Sequence, residues 1–203
     1  MTQAEHARWA SALGELGVTA QSVGIWAASL AWSLPYLGGL TFLSSRCGIP
    51  ADALQPLNRV YCHVQLRLLG MRWSAQVDPG IDSGRCYLFV QNHVNHFDFI
   101  VCHNATPHYR QGLELASHFR YPLYGAYMRA RGTIPVERGA AGQSERIRAA
   151  MRHEIALGRS ILAFPEGTRT LDGRVGPFRT GIVRLARDLG LAVVPVAVRG
   201  SFQ

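Results

Sequence analysis

The stretch YLFVQNHVNHFD occupies residues 87–98 and decides how the chain around it folds. Its first residues, Tyr87–Val90, form an apolar run typical of a buried strand. A polar loop follows, and residues 99–105 predict a helix, with Asp98 in or next to the first turn, where a carboxylate favours the helix dipole. A strand that leads through a short loop into a helix is the repeating unit of α/β proteins.

The same order of strand and helix recurs along the rest of the chain. Helices are predicted at residues 122–131, 144–157 and 180–189, and strands at residues 73–77, 132–138, 160–164 and 192–198. We therefore predict an α/β fold in which helices flank a mixed central sheet.

The charge of the chain is unevenly distributed. Residues 1–100 hold six arginines and six acidic residues, whereas residues 101–203 hold fifteen arginines and seven acidic residues. The net charge of +8 therefore comes from the second half, and no lysine contributes to it. A basic half suits a phosphate-bearing substrate, an anionic membrane surface or nucleic acid. We expect no nucleic-acid partner, because no recognised binding motif is present.

The N-terminal part of the chain is apolar. The thirty residues between Glu15 and Arg46 carry no formal charge, which exceeds the roughly 20 residues that span a bilayer. Pro35 and the pair Gly38-Gly39 interrupt this stretch, so a membrane-embedded hairpin or in-plane helix, a true span and a helix buried in the protein all remain open. We assign residues 1–48 to a membrane-associating helical segment and residues 49–203 to a catalytic domain.

The four cysteines indicate a reducing compartment. They contain no C-x-x-C pair, and we interpret them as ordinary buried thiols. Together with the apolar segment, this predicts a protein at the cytoplasmic face of the inner or plasma membrane.

His93 and Asp98 are the first candidate catalytic pair. Residues five apart do not share a face of one straight helix. With His93 in the loop and Asp98 at the helix start, however, the carboxylate can fold back toward the imidazole and fix its tautomer, which leaves the other ring nitrogen to accept a proton. The alternative is a loop histidine that happens to lie near a helix-capping aspartate.

A metal site is the rival chemistry at the same loop. His93, His96, Asp98 and His103 lie close in sequence and are all residue types that bind metals. The familiar pattern His-x-His-x-Asp-His is not met, so we expect no metal.

The second candidate group follows the strand at residues 160–164. Thr168 and the backbone N–H groups near Gly167 could hold phosphate oxygens while Arg169 supplies charge. Arg138 also follows a strand and could reach the same phosphate. Alternatively, these residues form a plain turn and a surface arginine. A proton acceptor combined with a phosphate-gripping guanidinium indicates acyl transfer onto a phosphate-bearing alcohol.

Four segments occur in a fixed order and carry a family resemblance. They are NHVNHFD at residues 92–98, GTIPVER at residues 132–138, FPEGTR at residues 164–169 and VPV at residues 194–196. PLYG at residues 122–125 precedes the second segment. Over about residues 85–203, the chain resembles the glycerophospholipid acyltransferases, the lysophosphatidic acid (1-acyl-sn-glycerol-3-phosphate) acyltransferase family.

This resemblance implies a role for each site residue. His93 would act as general base on the acceptor hydroxyl, and Asp98 would orient it. The hydroxyl would attack the thioester of acyl-CoA or acyl-carrier protein directly, so these molecules are co-substrates and no cofactor is expected. The residues implied to bind the phosphate side of the acceptor are Arg138, Glu166, Gly167, Thr168 and Arg169, while Pro195 would help to shape the site.

The resemblance also implies a reaction. It is acylation of the free hydroxyl of 1-acyl-glycerol-3-phosphate to phosphatidic acid, in phospholipid biosynthesis at a membrane lipid surface. Another lysolipid or amino-lipid acceptor, or a non-catalytic lipid-binding protein of the same fold, is the alternative.

The chain departs from the family pattern in two places. Residues 116–120, ASHFR, lack the lysine that many members carry there, and the chain ends shortly after Val198, so we expect a domain that is short at its C-terminus.

Overall fold

The computed structural model of this chain describes residues 3–95 and 97–200, with side chains described from residue 17 onward. Six α-helices are present in this range: α1 Gln3–Ser45, α2 Gln55–Leu68, α3 Asp98–Ala105, α4 Tyr124–Arg131, α5 Gln143–Ala156 and α6 Gly181–Asp188. The five strands are β1 Tyr87–Gln91, β2 Arg110–Leu115, β3 Ile134–Val136, β4 Ser160–Ala163 and β5 Ala192–Val196. A short 3-10 helix at Ala116–Arg120 joins β2 to α4.

The five strands form one sheet in the order β3-β2-β4-β1-β5. Every pairing between the described strands is parallel, so the α/β class is confirmed but the expected mixed sheet is a parallel one. The reason is the connectivity, since a helix links each strand to the next and returns the chain to the same end of the sheet.

One strand was not predicted and one predicted strand is absent. β2 lacks the apolar run of a buried strand because Arg110, Gln111 and Glu114 interrupt it. The Arg110 guanidinium nevertheless lies 4.2 Å from the centroid of the Phe89 ring, a cation–π contact that helps to place it in the core. Residues 73–77, whose alternation predicts a strand, form none in the structure.

Both faces of the sheet are covered. On one face, Leu88 and Ile161 pack with Met151 of α5 and Leu185 of α6. On the other face, Phe89 of β1 and Leu162 of β4 pack with Cys102 of α3. The ends of the central strands are thereby held in fixed positions, which positions the loops that follow them.

The N-terminal segment is one continuous helix rather than a hairpin, because Pro35 lies inside α1 without ending it. The Tyr36 ring stacks on Tyr61 of α2 at 4.6 Å, and Ser44 Oγ donates to the Ala130 carbonyl of α4, so neighbouring elements hold the helix on the C-terminal side of the proline. Residues 17–45 are long and apolar enough to cross a membrane by length and composition, and little of that stretch is buried. This corrects both the hairpin and the buried-helix interpretations.

Candidate active site

The candidate residues lie in two loops at the carboxyl end of the sheet. One loop, residues 92–97, follows β1, and the other, the β4–α6 loop at residues 164–180, follows β4. Because β1 and β4 are hydrogen-bonded neighbours, their loops emerge side by side. The carboxyl end of the strands is where open parallel sheets generally bind their ligands.

His93 and Asp98 are in contact, as their spacing predicted. The Nδ1 atom of His93 lies 2.9 Å from Oδ2 of Asp98, and the same oxygen accepts the backbone N–H groups of Val94 at 2.5 Å and Asn95 at 2.9 Å. Asp98 is the first residue of α3 and is buried, whereas His93 is partly exposed. With Nδ1–H donated to the carboxylate, the ring nitrogen Nε2 is the one available to accept a proton.

Three further contacts fix the geometry of this pair. Asn95 Oδ1 accepts the backbone N–H of Phe97 at 2.7 Å, which closes the turn that brings Asp98 back to the histidine. Gln91 Nε2 donates to the Asp98 carbonyl at 3.0 Å. The Phe164 ring stacks on the His93 imidazole, with 4.1 Å between the centroids and 20° between the planes. Sequence reasoning missed Phe164 because an apolar residue at a strand end is first interpreted as core.

Glu166 makes hydrogen bonds to two backbone N–H groups of the protein. Its Oε1 atom accepts the backbone N–H of His93 at 2.7 Å, and its Oε2 atom accepts that of Gly176 at 2.8 Å. The side chain is buried, and both carboxylate oxygens are engaged by the protein itself. This carboxylate therefore joins the two loops, and as a substrate contact it stays a prediction.

Gly167 is the point where the arginines of the site converge. Its carbonyl accepts a hydrogen bond from Arg138 Nη2, which reaches across from the end of β3. Its φ of +69° is a left-handed conformation, and a Cβ atom built on it would lie 2.9 Å from Arg179 Nε. A side chain at this position would therefore be strained and would displace Arg179. Arg179 was not predicted, because nothing in its spacing distinguishes it from a surface arginine.

Thr168 and Arg169 lie on the open side of the β4–α6 loop. Both are exposed, and Thr168 Oγ1 makes only a long, 3.4 Å contact with the Arg169 carbonyl. The Arg169 side chain makes no hydrogen bond or ion pair with any residue that the structure describes. These groups are free to meet a ligand.

The end of β5 is tied to the first loop. Asn92 Nδ2 donates to the Val198 carbonyl at 3.0 Å, and Asn92 Oδ1 accepts the Val198 N–H at 2.8 Å. Pro195 lies inside β5 opposite Val90, on the exposed edge of the sheet, where a missing N–H is tolerated. Its predicted contribution to the site is thus indirect, through the strand that carries Val198.

Of the histidines in the rival metal proposal, His103 lies in surroundings different from those of His93. His103 Nε2 lies 3.3 Å from Arg131 Nη2, and burial, with Arg131 and Arg110 nearby, lowers the pKa of His103 well below its ordinary value. His96 lies outside the described residues. Across residues 17–95 and 97–200, no three His, Cys, Asp or Glu side chains are grouped so that they could hold a metal ion.

Comparison with known proteins gives a family match over most of this region. The model of the family described as Acyltransferase matches residues 78–199. The chain is 30% identical over 115 residues to 1-acyl-sn-glycerol-3-phosphate acyltransferase BAT2, chloroplastic, of Brassica napus, which covers 56% of this chain and 33% of that protein. It is 32% identical over 111 residues to lyso-ornithine lipid O-acyltransferase of Pseudomonas aeruginosa, covering 55% of this chain and 42% of that protein.

A solved structure shows the same fold. The crystal structure of the 1-acyl-sn-glycerophosphate (LPA) acyltransferase PlsC from Thermotoga maritima matches with a TM-score of 0.71 at 18% identity, covering 91% of this chain and 75% of that one. The matched segments span less than half the length of the two relatives above.

Proposed function

The chain belongs to the acyltransferase family, whose model matches residues 78–199, and we propose that it moves a fatty acyl group to the free hydroxyl of 1-acyl-glycerol-3-phosphate. The product is phosphatidic acid. The observation that carries the proposal is the His93–Asp98 pair, whose atoms are 2.9 Å apart, in a loop that Glu166 joins to the arginine-lined turn at Gly167.

The dyad supplies the proton chemistry of the reaction. Nε2 of His93 takes the proton from the acceptor hydroxyl as its oxygen attacks the thioester carbonyl of the donor. The tetrahedral intermediate then collapses, the carbon–sulfur bond breaks, and the imidazolium returns the proton to the leaving thiolate. Asp98 stabilises the imidazolium and keeps Nε2 directed away from the carboxylate. No residue of the protein is acylated in this scheme.

The arginines hold the phosphate of the acceptor. Arg138 and Arg169 provide planar guanidinium groups that match a phosphate in a bidentate manner, and the Thr168 hydroxyl can donate to a third oxygen. Arg179, packed against Gly167, adds a third positive charge at the same turn. The positive charges near the turn make a phosphate-bearing alcohol a better acceptor than a neutral one.

Glu166 acts as a positioning residue in this proposal. Since both its oxygens are taken by backbone N–H groups, it sets the His93 loop against the β4–α6 loop instead of contacting the acceptor. An acidic group that stayed free beside the arginines would also compete with the phosphate for them.

Two observations support a second acceptor. The lyso-ornithine lipid O-acyltransferase relative shares 32% identity with this chain over 111 residues, and residues 116–120 lack the lysine that many members of the resembled family carry there. The donor, acyl-CoA or acyl-carrier protein, stays a prediction. The non-catalytic alternative is disfavoured because His93 and Asp98 are both present and in hydrogen-bond contact, 2.9 Å apart.

We place the protein at the cytoplasmic face of a membrane, with residues 1–48 as the membrane-associating segment and residues 49–203 as the catalytic domain. The support is the apolar character of α1, the family's lipid substrates and free cysteines throughout the described residues.

The direct test is release of free thiol from acyl-CoA and from acyl-carrier protein, with a panel of acceptors. Lysophosphatidate, lyso-ornithine lipid and monoacylglycerol differ in headgroup, so their rates identify the acceptor class. We expect release with lysophosphatidate and little with monoacylglycerol. Release with none of the acceptors, from protein whose fold is intact by circular dichroism, would contradict the proposal.

A further inference from the structure

The β4–α6 loop carries three apolar side chains that face solvent. Leu171 is 96% exposed, Val175 58% and Phe178 56%. Apolar surface gains free energy when it leaves water, and several such side chains in eight consecutive residues indicate a surface that meets a partner.

The loop is held in place at several points. The Thr170 N–H donates to the His93 carbonyl at 2.9 Å, and the Arg179 N–H donates to the Pro165 carbonyl at 2.8 Å. Between these points, the Gly176 N–H is bound by Glu166, and Asp172 Oδ1 accepts the Arg174 N–H at 3.0 Å. The apolar side chains are thus presented by an ordered loop, so ordering them on a partner costs little conformational entropy.

The charges around these side chains are mainly positive, and the ion pairs of Arg174 with Asp172 and of Arg187 with Asp188 are long, at 3.9 Å each. Between residues 168 and 187, Asp172 is the single acidic residue beside five arginines. The side chains of Arg169, Arg179 and Arg184 make no hydrogen bond or ion pair within the part of the chain that the structure describes.

The arginines of α5 behave differently. Arg146 lies 3.5 Å from Glu137, and Arg148 contacts both Glu145 and Asp188. The basic character of that helix is therefore largely neutralised, while that of the β4–α6 loop is available to an anionic partner.

We propose that the β4–α6 loop docks onto an anionic lipid surface, separately from α1. Leu171, Val175 and Phe178 enter the boundary between headgroups and acyl chains, and the flanking arginines pair with lipid phosphates. Apolar and arginine side chains alternate along the loop, so the partner must accept both kinds of side chain next to each other. A lipid surface does this better than a protein pocket, because lipid molecules can rearrange around the loop. If the proposed function holds, this docking turns the His93 site toward the membrane surface that contains the lysolipid acceptor.

The test places a fluorescent reporter on the loop in the full chain. Cys47 and Cys86 are changed to Ser, and Leu171→Cys carries an environment-sensitive fluorophore. Leu157→Cys is the matched control, since Leu157 is an exposed leucine between α5 and β4, at the end of β4 opposite to the β4–α6 loop. Vesicles of phosphatidylcholine alone are compared with vesicles of phosphatidylcholine and phosphatidylglycerol in equal parts, with spin-labelled lipid as quencher.

We expect a blue shift and quenching at position 171 only with the anionic vesicles, and no change at position 157. Because α1 is present in both labelled proteins, a difference between the two positions reports the loop alone. Arg174→Gln and Arg184→Gln should each lower the inserted fraction about fivefold at limiting lipid, since one arginine near an anionic surface contributes about that factor. Arg148→Gln, on α5, should leave it unchanged.

Two results would overturn the proposal. One is a reporter at position 171 that stays in water with both kinds of vesicle. The other is a response to a soluble acidic carrier protein without any response to vesicles, which would assign the loop to protein docking. Insertion is measured without acceptor or donor, so its failure is distinct from a failure of thiol release.

Discussion

The two loops that form the site use their polar groups in different ways. In the β1 loop, side-chain oxygens of the protein bind the backbone N–H groups of His93, Val94, Asn95 and Phe97. Asp98 Oδ2 alone accepts from three partners. In the β4–α6 loop, Thr168 and Arg169 are exposed and uncommitted. Groups that move a proton must be held in advance of the reaction, whereas groups that bind a substrate must be free when it arrives. Substitutions in the first loop should therefore affect turnover, and those in the second should affect affinity.

The strongest test of this contrast is His93→Ala. Loss of a general base usually costs on the order of 10²–10⁴ in rate, and a loop histidine contributes little to the core, so turnover should vanish while folding persists. Asp98→Asn should be severely impaired as well, because an amide can donate to Nδ1 and leave the wrong tautomer. Thiol release and thermal melting measure the two effects. His153→Ala, an exposed histidine of α5, serves as control, and substantial activity in purified His93→Ala would refute the assignment.

The next largest effect concerns the phosphate. Arg138→Ala or Arg169→Ala removes a charge-assisted contact of roughly 1.5–3 kcal/mol, so the KM for lysophosphatidate should rise about tenfold to a hundredfold. The KM for acyl-CoA should hardly change, and Arg→Lys should recover only part of the loss. Arg148→Ala, whose charge is already paired on α5, should be near wild type. If the KM for acyl-CoA rose instead, these arginines would belong to the donor site.

The variant Glu166→Gln distinguishes two roles for Glu166, which are joining the two loops and binding the acceptor. An amide can accept one of the two N–H groups but not both, so the His93 loop should loosen and kcat should fall about tenfold. We expect the KM for lysophosphatidate to stay within about twofold of wild type on the same reasoning. Steady-state kinetics measure this split, with Glu145→Gln on the exposed face of α5 as control. A rise in the KM for lysophosphatidate with unchanged kcat would show instead that Glu166 contacts the acceptor.

The smallest effect is expected at Phe164. Aromatic stacking contributes about 0.5–1.5 kcal/mol, so Phe164→Leu should lower kcat between about twofold and tenfold by releasing the His93 ring. Phe164→Tyr keeps the ring and should retain most of the activity. Equal losses in both variants, without a change in thermal melting, would show that stacking does not position the imidazole.

The sequence predicts the parts of this molecule that follow local rules. The apolar runs of β1 and β4 and the positions of α5 and α6 follow from periodicity, and the His93–Asp98 contact follows from a loop that ends at a helix start. β2 escaped prediction because the environment of Arg110 is created by Phe89, from another strand. Pro35 was overestimated as a helix breaker because the packing of α1 on its neighbours is a tertiary effect.

The site shows the same division between local and distant causes. Arg138, Gly167 and Arg169 could be named from short motifs, whereas Arg179 reaches Gly167 only through the path of a long loop. The two backbone contacts of Glu166 could not be foreseen either, since spacing says which residues are near in sequence and not which N–H groups a carboxylate will meet.

The pairing of Asn92 with Val198 affects how the protein folds during its synthesis. The two residues are 106 positions apart, so the loop that carries His93 leaves the ribosome long before the backbone that holds it in place. At synthesis rates of about 5–20 residues per second, this interval lasts on the order of 5–20 s. During that time β1 also lacks β4 and β5, its partners on both sides. The nascent chain therefore carries its chemical groups early but gains a working arrangement of them only after Val198 has been synthesised.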